Sequence, residues 1–212
     1  MNLKYIVQIS LIACVICIAA CGGNKKETGN SATNSSQTTA ETTQTTATAT
    51  TETKAVYKKP TPTENKFNEL RMAAFTTTPD QLKIVVPADK EIVYGVIVEQ
   101  NNGDATTSLA AYQTGAAKYI TSAGEGMDAE KSEAVKSAAR QFVSAGQSYL
   151  VKAAKARSAA APDNGMAKFY LLTNKGIYVG DESVKNLAAH TSAWEALFTD
   201  ANKLTSQIKQ AK

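Results

Sequence analysis

The sequence predicts an α+β domain: an antiparallel sheet made of a meander plus a hairpin, packed with one long and one C-terminal helix. Three observations carry this. Runs rich in β-branched residues alternate with Asn/Gly turns between Ile92 and Thr121. The apolar spacing then switches to a helical period from Asp128. Finally, a second turn, Asn174-Lys175-Gly176, is followed by a capped amphipathic segment. Strands and helices that segregate along the chain pack as α+β.

The elements follow in order. Phe67, Leu70 and Ala74 fall at i, i+3 and i+7, which predicts a short opening helix with Thr63 as its cap. Thr76-Thr77-Thr78-Pro79 ends it, because a proline disfavours helix at the residue before it. Leu82 to Val86 reads as a short strand stopped by Pro87, and Ile92 to Val98 as the clearest strand. Asn101-Asn102-Gly103-Asp104 turns the chain into Thr106 to Gln113, since Asn and Gly tolerate positive φ. Thr114-Gly115 turns it again into Ala116 to Thr121.

From Asp128 to about Lys155, Val135, Ala138, Ala139, Phe142, Tyr149, Leu150 and Ala153 form one apolar helical face. Asp128, Glu130 and Glu133 lie near its start and Lys152, Lys155 and Arg157 near its end, which complements a helix dipole. Ala159 to Gly165 reads as a loop. Phe169 to Thr173 and Ile177 to Val179 form the second hairpin. A capping box, Ser192-x-x-Glu195, opens the last helix, where Trp194, Leu197, Ala201, Leu204 and Ile208 repeat at helical spacing.

Residues 67–212 are thus one domain of ordinary size. Two different segments precede it. Residues 1–20 have a Lys near the start, an apolar run from Ile6 to Ala20 and small residues before Cys21, the pattern of an export signal. Residues 21–66 begin at Cys21 and continue through a Thr/Ala-rich stretch with few large apolar side chains. Such a composition buries too little surface to offset chain entropy, which predicts a disordered tether. As a flexible coil it spans roughly 35–40 Å end to end. Its many Thr residues are potential O-glycosylation acceptors.

Ile18-Ala19-Ala20-Cys21 closely resembles the lipobox of bacterial lipoproteins. The resemblance implies cleavage before Cys21 and acylation of its thiol, with palmitate-like chains holding the chain to a lipid bilayer. Two or more acyl chains make a stable anchor. An uncleaved membrane span fits less well: the apolar run is shorter than the roughly 20 residues needed, and Lys25 and Lys26 follow it closely. Gly22 rather than Asp follows Cys21, which in the lipoprotein pattern favours the outer membrane over the cytoplasmic membrane. Cys14 and Cys17 fall within the signal, so the domain has neither a disulfide nor a thiolate site.

Basic and acidic residues beyond Lys66 nearly balance, so there is no electrostatic case for nucleic acid. Gly124-Glu125-Gly126-Met127-Asp128-Ala129 matches G-x-G-x-x-A, but it follows a hairpin meander rather than opening a βαβ unit, and no cofactor is expected. The lone histidine, His190, reads as an exposed loop residue; alone it builds no usual zinc site. Ser183 and Ser192 near it read as helix caps, and Asp181-Glu182 and Asp128-x-Glu130 as complements to helix dipoles. Tyr94, Tyr112, Tyr119, Tyr149, Tyr170, Tyr178 and Trp194 read as half-buried core, some of which could line a groove for a peptide or glycan.

Phe169 to Tyr178, with Tyr94-Gly95-Val96 upstream, resembles bacterial proteins of unassigned function, a likeness that implies no activity and no site residues. The sequence therefore points to a non-enzymatic binding or interaction module in the cell envelope, facing a protein or glycan partner. The competing expectation is an envelope hydrolase with a carboxylate or Ser site.

Overall fold

The computed structural model describes residues 59–124, 126–128 and 132–211. The export signal, Cys21 and the tether as far as residue 58 lie outside the described residues, as do Glu125, Ala129 and Glu130. All described residues fall within one compact unit bounded at Ala55.

The expected fold class is present. Helix α1 (Pro62–Thr76) leads into β1 (Val93–Asn101), β2 (Thr106–Tyr112), β3 (Ala117–Thr121) and β4 (Gly126–Asp128). Helix α2 (Glu133–Gly146) runs into a 3₁₀ helix (Gln147–Lys152) and β5 (Ala154–Lys155). Strands β6 (Met166–Thr173) and β7 (Gly176–Ser183) are followed by α3 (Val184–Ala188) and α4 (Glu195–Gln210). The sheet has seven strands in the order β4-β3-β2-β1-β6-β7-β5, and every pairing is antiparallel. Three-residue β4 and two-residue β5 form its edges, a way of blunting edges that could pair with another chain.

Several expectations are corrected. The first helix starts at Pro62 and is capped by Thr61, not Thr63: the Thr61 hydroxyl and the Glu64 carboxylate form a capping box. Pro62, read as part of the tether, is the first helical residue, where its fixed φ suits the helix and its missing N–H costs nothing. Leu82 to Val86 forms no strand. Lys83 has a φ of 57°, and Leu82 and Lys83 bond back to Thr78 and Asp80 in consecutive turns. Leu82 and Ile84 still pack on the sheet. The long helix is split. It begins at Glu133 behind the Ser132 cap, so Asp128 lies outside it, and it ends at Gly146. A Cβ on Gly146 would come within 2.6 Å of Val96 Cγ2, so this glycine lets α2 close down on β1.

Both faces of the sheet are covered, which explains why β1 is apolar without alternation. On one face Val96, Val98, Leu109, Tyr119, Phe169 and Leu171 pack with α2 and α4 residues such as Phe142, Val143, Leu197 and Leu204. Trp194 stacks between Phe169 and Tyr149, with ring centroids 4.8 and 5.2 Å away. It lies flat on Gly180, where a Cβ would come within 1.9 Å of the indole. Tyr94, Ile97, Tyr112, Tyr170 and Leu172 face the other way, beneath Phe75 of α1. A register shift between Val93 and Gly95 breaks the alternation, so that Val93 shares a core with Val96 and Tyr94 shares the other with Ile97.

Helix α1 is fastened to this second face by polar contacts. Its buried positions are Phe67, Arg71 and Phe75, a stripe offset from the expected Phe67/Leu70/Ala74 face. Glu99, fully buried on β1, accepts two hydrogen bonds from Arg71, Nε to Oε1 at 2.6 Å and Nη2 to Oε2 at 2.7 Å. Arg71 Nη2 also donates to Ala159 O at 2.6 Å, and the guanidinium lies 4.8 Å over the Phe75 ring. Phe75 meets Tyr170 edge-on, and the Tyr170 hydroxyl donates to Ala160 O. Tyr112 and Tyr94 donate to Ala74 O and Thr77 O near the end of α1, each at 2.9 Å.

A buried pair that loses one partner strands a charge in a poor dielectric. Arg71→Met should therefore lower unfolding stability in urea by about 3–5 kcal/mol, whereas Arg71→Met with Glu99→Leu should recover most of that loss. Burial, reinforced by the Glu99 charge and opposed by Arg71, pushes the Tyr170 hydroxyl from 10.0 up to about 12. The folded state thus holds this proton more tightly than the unfolded chain, and the associated stability is lost as pH rises from about 10 to about 12. Urea midpoints measured across that range should fall with pH, and Tyr170→Phe should flatten the fall.

Candidate functional site

The residues singled out by sequence come together only in part. His190 sits in the turn between α3 and α4 with a φ of 56°, and its Nδ1 lies 3.0 Å from Glu195 Oε1. Its side chain is largely exposed. Hydrogen bonds from His190 first, then from Thr199, hold the Glu195 carboxyl below its ordinary range. The expected Ser192–Glu195 capping box does not form. Helix α4 starts at Glu195, whose N–H bonds to Ser192 O and whose carboxylate turns to His190 and Thr199.

Ser192 Oγ accepts from Trp194 N. Ser183 caps α3 as expected, accepting from Asn186 N at 3.1 Å. Glu182 Oε1 accepts from Ser183 N and Asn186 Nδ2, both at 2.8 Å, so this acid belongs to the same cap. Those bonds, Asn186 first, then the Ser183 amide and the Ser192 hydroxyl, keep its carboxyl low. Among the described residues no hydrogen bond joins His190 to Ser183 or Ser192. A nucleophile and base need that contact, although an unliganded enzyme can hold it loosely.

The glycine-rich stretch takes a different shape from the expected strand-to-helix turn. Gly126 to Asp128 form β4, with Met127 opposite Tyr119, and α2 begins only after Ser132. The N-terminus of α2 therefore does not open at these glycines; Gly124 lies instead against Thr63 in the first turn of α1. Asp181, on β7, lies opposite Lys168. Tyr94, Tyr112, Tyr119, Tyr149, Tyr170 and Trp194 are buried, as expected of core residues, and Tyr178 is partly so.

Two grooves have the size of a small-ligand site, about 420 and 310 Å³, the smaller lying between the first turns of α1 and the β3–β4 edge. The larger, about 420 Å³, lies between the start of α1 and the β1–β2 turn. Some of its polar groups are already engaged: Glu64 caps α1, while the Asn101 side chain donates to Pro162 O and accepts from Gly103 N.

A further groove, about 260 Å³ and so just below that size, lies where α4 crosses the ends of β1, β2 and β3. Val98, Gln100, Thr107, Leu109 and Tyr119 form its floor, all on the sheet face that α4 covers. Phe198, Asn202, Thr205, Ser206 and Lys209 form its wall. The wall follows from helix geometry. Positions 198, 202, 205 and 209 repeat at i, i+4, i+7 and i+11, one residue round from the buried stripe Leu197, Ala201, Leu204 and Ile208. Gln100 donates to Asn102 at 2.6 Å, and Ser206 donates back to Asn202 O at 2.9 Å. Lys209 Nζ lies 4.6 Å over the Tyr119 ring. The Asn202 amide and the Thr107 and Thr205 hydroxyls have no hydrogen-bond partner among the described residues. Sequence reasoning missed this groove; the signal available was the polar stripe beside the apolar one on the last helix.

Among the described residues, no group of three or more His, Cys, Asp or Glu side chains could hold a metal ion, and no helix is long and apolar enough to cross a membrane. No protein-family model, no curated protein and no solved structure matches the chain.

Proposed function

We propose that this chain is a lipid-anchored protein of the bacterial cell envelope whose folded domain is a non-enzymatic binding module. Acylated Cys21 is the membrane anchor, the Thr/Ala-rich segment is the spacer, and the outer membrane is the favoured location. The observation that carries the binding reading is the chemistry of the α4 groove. Carboxamides and hydroxyls line it, and Lys209 is its only charged side chain. Such groups hold a ligand by hydrogen bonds, and they are poorly suited to moving protons near neutral pH. The anchored reading is supported by Ile18-Ala19-Ala20-Cys21 and by the fastening of α1, the helix through which a tether would pull on the domain.

Cys21→Ala should abolish metabolic labelling by a fatty-acid analogue and move the protein from the membrane to the soluble fraction. A variant that keeps its label and its membrane fraction would overturn the anchor. Crosslinking in intact cells should capture an envelope component with the wild-type chain and lose it with Cys21→Ala. Hydrolysis of an envelope extract by the purified chain, abolished by Glu182→Gln or His190→Ala, would instead establish the hydrolase.

A further inference from the structure

We propose that the groove between α4 and the ends of β1, β2 and β3 binds a neutral saccharide, one pyranose ring at a time. This rests on the binding-module reading and names its ligand class. Three features of the groove carry it.

First, size: about 260 Å³ sits just below the usual range for drug-sized ligands and suits one sugar ring better than a folded peptide. Second, polarity: Gln100, Asn102, Thr107, Asn202 and Thr205 all offer neutral groups. A carboxamide presents a donor and an acceptor side by side, which matches two neighbouring sugar hydroxyls, each both donor and acceptor. No carboxylate lines the groove, so it has no partner for a cationic ligand. A single flexible ammonium, Lys209, makes a weak case for an anion. Third, the aromatic surface: half-buried Phe198 in the wall supplies an apolar face for the C–H side of a ring, and Tyr119, 8% exposed, lies in the floor. Lys209 now lies over Tyr119. It is exposed on the last turn of α4, so its stem can swing aside and uncover that face.

The groups are also available. The Asn202, Thr107 and Thr205 side chains spend no hydrogen bond on the described residues. They lie beside a well-packed core of Leu109, Leu197 and Ala201, so the groove is fixed by the fold before a ligand arrives.

The test is saturation-transfer NMR on the purified full chain with methyl glycosides of glucose, galactose and N-acetylglucosamine, and with the β-1,4 disaccharide of the last. Transfer to ring C–H protons of at least one neutral sugar is expected, with about ten-fold or more weaker binding for Asn202→Ala/Thr205→Ala, the loss of two hydrogen bonds. Both positions face solvent or the groove, and unchanged circular dichroism would show the variant folded. A disaccharide markedly tighter than the monosaccharide identifies a polysaccharide chain as the source, and equal affinity identifies a free sugar. No transfer from any of these sugars, or equal transfer in the double variant, overturns the proposal. If the crosslinked envelope component is still captured in that case, the binding-module reading survives without this groove; loss of both sinks the two together.

Discussion

Glu99 lies fully buried on a central strand of the sheet, and both of its oxygens are met by one guanidinium from the first helix. Much of the second face follows from that contact. A carboxylate in this position is tolerable only with a fixed partner, so α1 must lie where Arg71 can reach it. Once α1 is there, Phe75 covers Tyr170, and the tyrosine hydroxyls find carbonyls at the end of the helix and in the loop at Ala160. Ala159 O is drawn in by the same guanidinium. A helix, a strand and a loop distant in sequence thus share one arginine. The pair is weak evidence for high stability, since matched apolar residues can do as well, but it specifies one docking position for α1.

The opposite face is organised by shape. Gly146 and Gly180 allow α2 and the Trp194 ring to approach the sheet more closely than any side chain would permit. Helices α2 and α4 then cover most of that face but leave the ends of β1, β2 and β3 uncovered beside the polar stripe of α4. The groove is a consequence of where α4 crosses the sheet, and its chemistry comes from residues that face neither full solvent nor full core.

Local patterns were legible where local physics decides. Asn101 to Asp104 and Asn174 to Gly176 place two hairpins because their turns need residues that accept positive φ; Gly103 and Gly176 have φ of 91° and 125°. The last helix shows its apolar stripe plainly. Leu82 to Val86 misleads because a strand needs a partner, and sequence alone supplies none; the segment turns on itself between Pro79 and Pro87. Asp128 to Lys155 misleads because helical spacing continues through a 3₁₀ segment that the α-helix does not share. Arg71 was hidden by its type: an arginine is ordinarily at the surface, and only its place midway between Phe67 and Phe75 hints otherwise. The groove was hidden by distance, since Gln100 and Thr107 meet Asn202 and Thr205 only through the tertiary fold.

Helix α1 belongs to the cooperative core through the Arg71–Glu99 contact. Native-state hydrogen exchange tests this most directly. The amides of Phe67 to Phe75 should open with the same free energy as those of β1 and β6, because a helix that pairs the buried carboxylate cannot leave alone without stranding it. Exchange of those amides at clearly lower free energy, with β1 and β6 still protected, would show that α1 detaches by itself and would contradict the account.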